Sequence, residues 1–204
     1  MTSATEYAVD TVVEEILGGR PVILPTDTVY GLCTTPYRED PVRRLYRLKG
    51  RDASQPTALV ASDVDMLLEC IPELRGRAAT ILRALLPGAF TVVAPNPAHR
   101  FRWLTGNNPE TIGIRVPAAE GPLALVLERV SAIAATSANR PGERDPKRPQ
   151  DIPEEIRGGC VILDGGELRG VPSTVVDITG PEPQILREGA VPAADTLERV
   201  RAAS

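Results

Sequence analysis

The sequence predicts an α/β fold, with helices packed on the faces of a sheet. Short apolar strands alternate along the chain with amphipathic helices, which is the pattern of layered α/β proteins. The 204 residues are 42% hydrophobic, enough for a core that buries roughly 70% of the chain's surface on folding. No internal repeat and no linker divides the chain, so we expect one domain over residues 1–204.

Helices are predicted where apolar residues recur every three or four positions after a capping residue or a proline. The first runs from about Ala8 to Leu17 and stops at Gly18-Gly19, because glycine commonly terminates helices. The second opens with Asp40-Pro41 and ends at Lys49. The other predicted helices are a short one capped by Ser62 or Asp63 and longer ones over 72–86, 122–130 and 193–201.

Strands are predicted from short apolar or β-branched runs bounded by turn residues. They cover 21–25, 57–61, 90–94, 111–116, 132–136, 160–163, 173–178 and 184–186, and 26–32 reads as half strand and half turn. The polar segment 96–109 is predicted to be a loop. Segment 140–151 is dense in charge and proline, which argues against burial, and it is long enough to serve as a lid or binding loop.

Composition excludes several functions. A net charge of −4 rules out a wholly basic nucleic-acid surface, and 3% aromatic residues disfavour a base-stacking platform. No apolar run approaches the roughly 18 residues of a membrane span, and residues 1–10 lack a secretory signal, so we expect a cytoplasmic protein. Three scattered cysteines and one histidine, predicted to lie in a surface loop, give neither a disulfide framework nor a multi-histidine zinc site.

Polar and basic residues accumulate at the ends of the predicted strands, where open α/β sheets hold ligands. Lys49 and Lys147 are the only lysines among 23 basic residues, and no glycine-rich nucleotide motif or nucleophile elbow is present. Each such residue alone is most often structural. Together they describe a cationic, hydroxyl-rich site for a polyanion and a small polar metabolite, with catalysis by positioning and electrostatics, as in nucleotidyl transfer.

A series of segments then follows in one order over about residues 8–191. They are PTDTVYGL (25–32), KGR (49–51), LPGAFT (86–91), TIGIRVP (111–117), SAN (137–139) with Gly142, STVVD (173–177) and LREG (186–189). In this combination the chain resembles the YrdC/Sua5 family of threonylcarbamoyl-AMP synthases, in its short single-domain form.

The resemblance implies a twisted mixed sheet with a concave, positively charged cavity. It also implies a reaction in which L-threonine, bicarbonate or CO2, and ATP give threonylcarbamoyl-AMP and pyrophosphate. A separate, downstream threonylcarbamoyl transferase would use the product for N6-threonylcarbamoyladenosine at position 37 of tRNA. A weak tRNA contact at an arginine-lined cavity is compatible with this role, and no membrane partner is expected.

Family roles carry over by position. Lys49 and Arg51 resemble the catalytic, phosphate-binding pair. The other residues that resemble ATP contacts are Gln55, Thr111, Ser137, Asn139 and Arg187. Those that resemble threonine contacts are Thr28, Arg115 as carboxylate anchor, Ser173, and Ala135 through its backbone. Mg²⁺ would be held mainly by ATP and water, since no carboxylate cluster is dedicated to it.

The chain departs from the common family pattern at two places. Val60 stands where many relatives have histidine, and Asp145-Pro146-Lys147 stands where many have Ser-Pro-Thr. The favoured interpretation of the second change is a re-formed solvent loop. In the alternative, Lys147 closes over the phosphates. Segment 140–151 as a whole is predicted to be mobile without ligand and to order over ATP.

Two other functions compete with the synthase. One is a non-catalytic RNA-binding or maturation factor on the same fold, but such relatives tend to lack the complete Lys-x-Arg and Ser-x-Asn elements that this chain retains. The other is a carbamoyl transferase acting on another acceptor, which usually carries additional domains.

Overall fold

The computed structural model describes residues 4–203 and contains a nine-stranded mixed sheet. The strands are β1 (Val22–Pro25), β2 (Tyr30–Thr34), β3 (Ala58–Ala61), β4 (Phe90–Pro95), β5 (Thr111–Arg115), β6 (Ala132–Ser137), β7 (Val161–Ile162), β8 (Thr174–Asp177) and β9 (Gln184–Arg187). Their order is β7-β1-β2-β6-β3-β5-β4-β8-β9. The pairs β1/β7, β3/β5 and β4/β8 are parallel and the other neighbours antiparallel, so the predicted mixed sheet is confirmed.

The helices are α1 (Ala4–Leu17), α2 (Glu39–Lys49), α3 (Val64–Cys70), α4 (Arg77–Leu85), α5 (Gly121–Val130), α6 (Glu154–Arg157) and α7 (Ala193–Ala202). Asp63, not Ser62, caps α3, because its carboxylate accepts the backbone N–H of Met66. Gly50 ends α2 in the left-handed conformation, with φ 66°.

Two details of the predicted helices were wrong. A single helix over 72–86 was expected, but α4 begins only at Arg77, because Gly76 adopts φ 55° and ψ −128°, which no helix accommodates. The four-residue α6 was not expected at all, since one helical turn is too short to show a periodic apolar pattern.

The two faces of the sheet are covered unequally. Helices α2, α3, α4 and α7 contribute to a core with alternate strand residues such as Leu32 and Leu59, whereas the neighbouring Cys33 and Val60 face a second core with α1 and α5. Helices α1 and α5 pack against each other and against strands β1, β2, β6 and β7. On the same face, strands β3, β5, β4 and β8 line a cavity instead.

In the described part of the chain, no helix combines the length and apolarity needed to cross a bilayer. His99 lies in the loop after β4, where its ring pairs with Glu110, and its side chain is 39% exposed. This agrees with the loop predicted over 96–109.

Candidate active site

The cavity has a volume of about 330 Å³ and a floor of small side chains. Strand register sets Ala58 of β3 opposite Ala135 of β6, and Gly113 of β5 opposite Val93 of β4. A Cβ atom on Gly113 would lie 3.9 Å from its nearest neighbours, so this glycine leaves open space above the sheet. The cavity therefore exists because small residues from distant parts of the sequence lie side by side on neighbouring strands.

One end of the cavity is apolar. It is lined by Val60, Leu123, Leu127 and Ile133, which also belong to the core beneath α1 and α5. Val60, the first of the two positions at which the sequence was expected to depart from the family pattern, thus extends a hydrophobic wall without an acid–base group.

The rest of the cavity is polar and cationic. Its charged lining residues are Arg51, Arg115, Arg187 and Asp145, within the part of the chain that the structure describes. Hydroxyl groups of Thr28, Thr91, Thr111, Ser137 and Ser173 surround them. Fixed guanidinium groups and hydroxyls in a concave site suit a ligand with carboxylate or phosphate groups.

Arg115, the last residue of β5, is held by the segment that precedes β2. Its Nη2 donates to the carboxylate of Asp27 and to Thr28 Oγ1, the latter at 2.9 Å. Its Nε is buried and has no protein acceptor. A buried N–H group requires an acceptor, so this edge of the guanidinium is available to a ligand carboxylate.

Arg51 follows α2 and reaches across to β6. Its Nη1 donates to Thr136 Oγ1 at 2.8 Å and its Nη2 to Pro56 O at 2.6 Å, while the buried Nε has no protein acceptor. Burial lowers the pKa of Arg51, which reflects an environment that favours an incoming anion.

Lys49 lies behind the cavity wall and does not line it. Lys49 is buried. Its Nζ donates to Ser137 O at 2.5 Å and to Asn139 O and Oδ1, each at 2.8 Å. Burial, assisted by the neighbouring charge of Arg51, lowers the pKa of Lys49 to about 8. In this arrangement the ammonium group organises the Ser137–Asn139 turn, and contact with a phosphate would require it to leave an acceptor.

Arg187, the last residue of β9, also lines the cavity, where it contacts Ser173. The guanidinium Nη2 donates to Ser173 O at 2.8 Å and approaches Ser173 Oγ at 3.3 Å, and Ser173 Oγ in turn shares a 2.8 Å hydrogen bond with Thr91 Oγ1. This chain of contacts links β9, the segment before β8, and β4.

The structure therefore brings most of the predicted site residues together. The cavity is lined by Thr28, Arg51, Thr111, Arg115, Ala135, Ser137, Ser173 and Arg187. Lys49 and Asn139 are buried directly behind it, and Gln55 is exposed outside its lining. The site occupies a face of the sheet rather than only the carboxyl ends of its strands, because the sheet is mixed and Thr111 begins the strand that Arg115 ends.

Segment 140–151 is mostly exposed but is anchored at its centre. Pro146 is buried and its carbonyl accepts the N–H of Tyr30 at 2.9 Å, so the segment is fixed to β2. Asp145 lines the cavity and accepts a 3.2 Å hydrogen bond from Asn139 Nδ2. Lys147 turns away and pairs with Glu167 at 2.7 Å. The predicted exposure therefore holds for most of the segment but not for Asp145 and Pro146, because sequence alone could not reveal that Pro146 would anchor this stretch.

This combination of a mixed sheet, unequal helical cover and a cationic cavity on the exposed face defines a YrdC-like α/β protein. The chain belongs to the Sua5/YciO/YrdC family, whose sequence model, described as "Telomere recombination", matches residues 14–189.

Curated relatives carry names that agree with this family. The chain is 35% identical over 184 residues to the threonylcarbamoyl-AMP synthase of Pyrococcus abyssi, covering 89% of this chain and 54% of that protein. It is 33% identical over 185 residues to the threonylcarbamoyl-AMP synthase of Bacillus subtilis, covering 89% and 52%. The chain thus spans about half the length of these relatives.

A solved structure, P. abyssi Sua5 complexed with L-threonine, superposes with a TM-score of 0.85 at 34% sequence identity. The match covers 96% of this chain and 57% of that protein, so the likeness extends over nearly all of the fold described here.

Proposed function

We propose that the protein is an L-threonylcarbamoyladenylate synthase, a nucleotidyltransferase that forms threonylcarbamoyl-AMP and pyrophosphate from L-threonine, bicarbonate or CO2, and ATP. The observation that carries this proposal is the convergence of Thr28, Arg51, Arg115, Ser173 and Arg187 on one cavity. Support for threonine comes from the related structure described as a complex with L-threonine.

Threonine would bind where Arg115 has an unpaired buried N–H group and Thr28 a hydroxyl. An arginine recognises a carboxylate through more than one N–H group at once, and Asp27 already fixes the orientation of this guanidinium. The nearby small residues Ala135 and Gly113 leave room for the amino acid above the sheet.

The polyphosphate would bind between Arg51, Arg187 and the Ser137 turn that Lys49 holds. The threonine amine attacks CO2, which forms a C–N bond and releases a proton. A carbamate oxygen then attacks the α-phosphorus of ATP, and the bond to the pyrophosphate oxygen breaks. Guanidinium groups stabilise the negative charge that develops on the phosphates, so catalysis rests on positioning and electrostatics.

Mg²⁺ that accompanies ATP would supply further charge neutralisation. The described residues include no group of three or more acidic, histidine or cysteine side chains that could hold a metal ion unaided. The oxygen donors facing the cavity, the Asp145 carboxylate and the Ser137 hydroxyl, suit a cation that is also bound by phosphate oxygens.

In this function the product passes to a separate threonylcarbamoyl transferase that modifies tRNA at position 37. The site of action is then the cytoplasm. Any contact of this protein with tRNA would be weak, given the net charge of −4.

The deciding experiment incubates the protein with ATP, Mg²⁺, bicarbonate and L-threonine, measures pyrophosphate, and identifies threonylcarbamoyl-AMP by mass spectrometry. We expect pyrophosphate release that stops when threonine is omitted. Absence of the adenylate product, with tRNA binding retained, would instead establish the non-catalytic RNA-binding factor.

A further inference from the structure

Asp145 is the acidic side chain in a cavity whose other charged lining groups are arginines, among the residues described. Asp27, an acid in the cavity wall, pairs with Arg115. Asp145 instead accepts one side-chain hydrogen bond, from Asn139 Nδ2 to Oδ1. Within residues 4–203, its second oxygen, Oδ2, has no protein donor.

The position of this carboxylate is fixed by its surroundings. Asn139 joins it to the buried network, because Asn139 Oδ1 accepts from both Lys49 Nζ and Ser137 Oγ. On its other side, the Pro146 carbonyl binds the backbone of Tyr30. The acid is therefore held in the cavity wall rather than carried on a free loop.

Asp145 lies among the groups expected to bind polyphosphate. Its charge acts on both Lys49 and Arg187, which resemble phosphate contacts of the family. A carboxylate at this place repels a polyphosphate, whereas the arginines attract it, and both effects are Coulomb interactions. The repulsion becomes attraction if a divalent cation lies between the two anions.

Magnesium bound with a nucleotide usually keeps several waters and takes one or two protein carboxylates in addition to phosphate oxygens. Asp145 is one half-buried carboxylate with an unused oxygen, and the Asn139 side chain links it to the hydroxyl of Ser137, so it matches this requirement. We propose that Asp145 is a ligand of the divalent cation that enters the cavity with the nucleoside triphosphate. The inference rests on the proposed function.

The competing explanation is that Asp145 only balances the charges of Lys49 and Arg187. The two explanations predict opposite signs for Asp145→Asn. If the acid only balances charge, its removal strengthens nucleotide binding equally with and without metal. If it binds the cation, its removal leaves metal-free binding unchanged or stronger and weakens binding of the metal complex.

The test measures the affinity of α,β-methylene-ATP, which cannot be cleaved at the reacting bond, by calorimetry in excess Mg²⁺ and in EDTA. We expect Mg²⁺ to strengthen binding to the wild type and Asp145→Asn to reduce this dependence by about tenfold or more. Asp145→Ser should behave in the same way, which guards against an effect peculiar to asparagine. Glu143→Gln is the matched control, because Glu143 is an exposed acid of the same segment that does not line the cavity.

A second readout replaces Mg²⁺ by Mn²⁺ and follows water-proton relaxation of the Mn²⁺–nucleotide complex on the protein. The wild type should show enhancement and Asp145→Asn should lose it, while thermal unfolding confirms that both variants are folded. An unchanged metal dependence in Asp145→Asn overturns the inference. If the wild type binds the nucleotide in neither condition, the proposed function itself is contradicted.

Discussion

Arg115 and Asp27 form an ion pair in the cavity wall, and each of the two side chains is only 11% exposed. Asp27 precedes β2 and Arg115 ends β5, so the pair ties two distant parts of the chain together at the site. Because Asp27 occupies Nη2 and Nε remains without a protein acceptor, the guanidinium is both oriented and incompletely paired.

Arg115→Lys should therefore weaken threonine use selectively. Lysine keeps a positive charge opposite Asp27 but loses the planar set of N–H donors, so the threonine concentration for half-maximal pyrophosphate release should rise about tenfold or more. Affinity for α,β-methylene-ATP, measured by calorimetry, should change by less than about threefold. An unchanged threonine dependence would show that Arg115 is not the carboxylate anchor.

Arg51→Ala should lower the rate of pyrophosphate release by more than about tenfold, since a lost charge contact to phosphate typically removes about 2–4 kcal/mol of transition-state stabilisation. Lys49→Ala should have an effect of similar size, because the Ser137–Asn139 turn loses the cation that holds it. Arg47→Ala is the control: Arg47 lies exposed on α2 and should be nearly neutral. A wild-type rate in Arg51→Ala would remove the phosphate assignment of Arg51, and a wild-type rate in Lys49→Ala would show that the turn does not need its cation.

Nucleotide binding should depend on pH through Lys49, whose pKa is lowered to about 8. A polyphosphate bound beyond the Ser137 turn would favour the charged ammonium group by Coulomb attraction, without direct contact. Binding should then take up protons near pH 8, and affinity should fall as the pH rises above about 8. Below about pH 7 the group is already charged and affinity should be level with respect to this residue. Calorimetry in buffers of different ionisation enthalpy measures the uptake, and Lys49→Met should abolish it. Uptake that persists in Lys49→Met would assign it to another group.

Gly113→Val should separate stability from binding. The new side chain meets no protein atom closer than 3.9 Å at its Cβ, and valine is favoured over glycine in strands, so the melting temperature should stay the same or rise. The same side chain fills the cavity floor, so affinity for α,β-methylene-ATP or threonine should fall by about tenfold or more. Gly189→Ala is the contrasting variant: its Cβ would lie 2.3 Å from Pro172 O, and it should be destabilised. Unchanged ligand affinity in a folded Gly113→Val protein would place the ligands elsewhere.

Lys147→Ala should leave the affinity for α,β-methylene-ATP within about twofold of the wild type, because the ammonium group is paired with Glu167 and is partly solvated. A calorimetric loss of about tenfold would restore the alternative in which Lys147 closes over the phosphates.

The strands were predicted well because each is a short apolar run bounded by turn residues, as at β3 and β4. The resemblance supplied the positions of the candidate site residues, and the structure places Thr28, Arg115 and Arg187 around one cavity; their roles stay predictions. Periodicity could not locate the start of α4, which depends on the backbone of Gly76.

Other features of the site depend on contacts between distant segments. The cavity floor of small residues was not predicted, because Ala58 and Gly113 line one cavity only after strand pairing has brought β3 and β5 together. Asp145 was misplaced for a similar reason: its position depends on the hydrogen bond between Pro146 and Tyr30, more than a hundred residues away.

The strand order also sets when the cavity can come into existence during synthesis. Strands β8 and β9, with Ser173 and Arg187, pair against β4 and are made after all the other strands. Because the chain is synthesised from its N-terminus, strands β1 to β7 can begin to pair before β8 and β9 exist. The cavity wall formed by β8 and β9 is added last. The cavity is therefore incomplete until the segment with Ser173 and Arg187 has been synthesised and β8 has paired with β4.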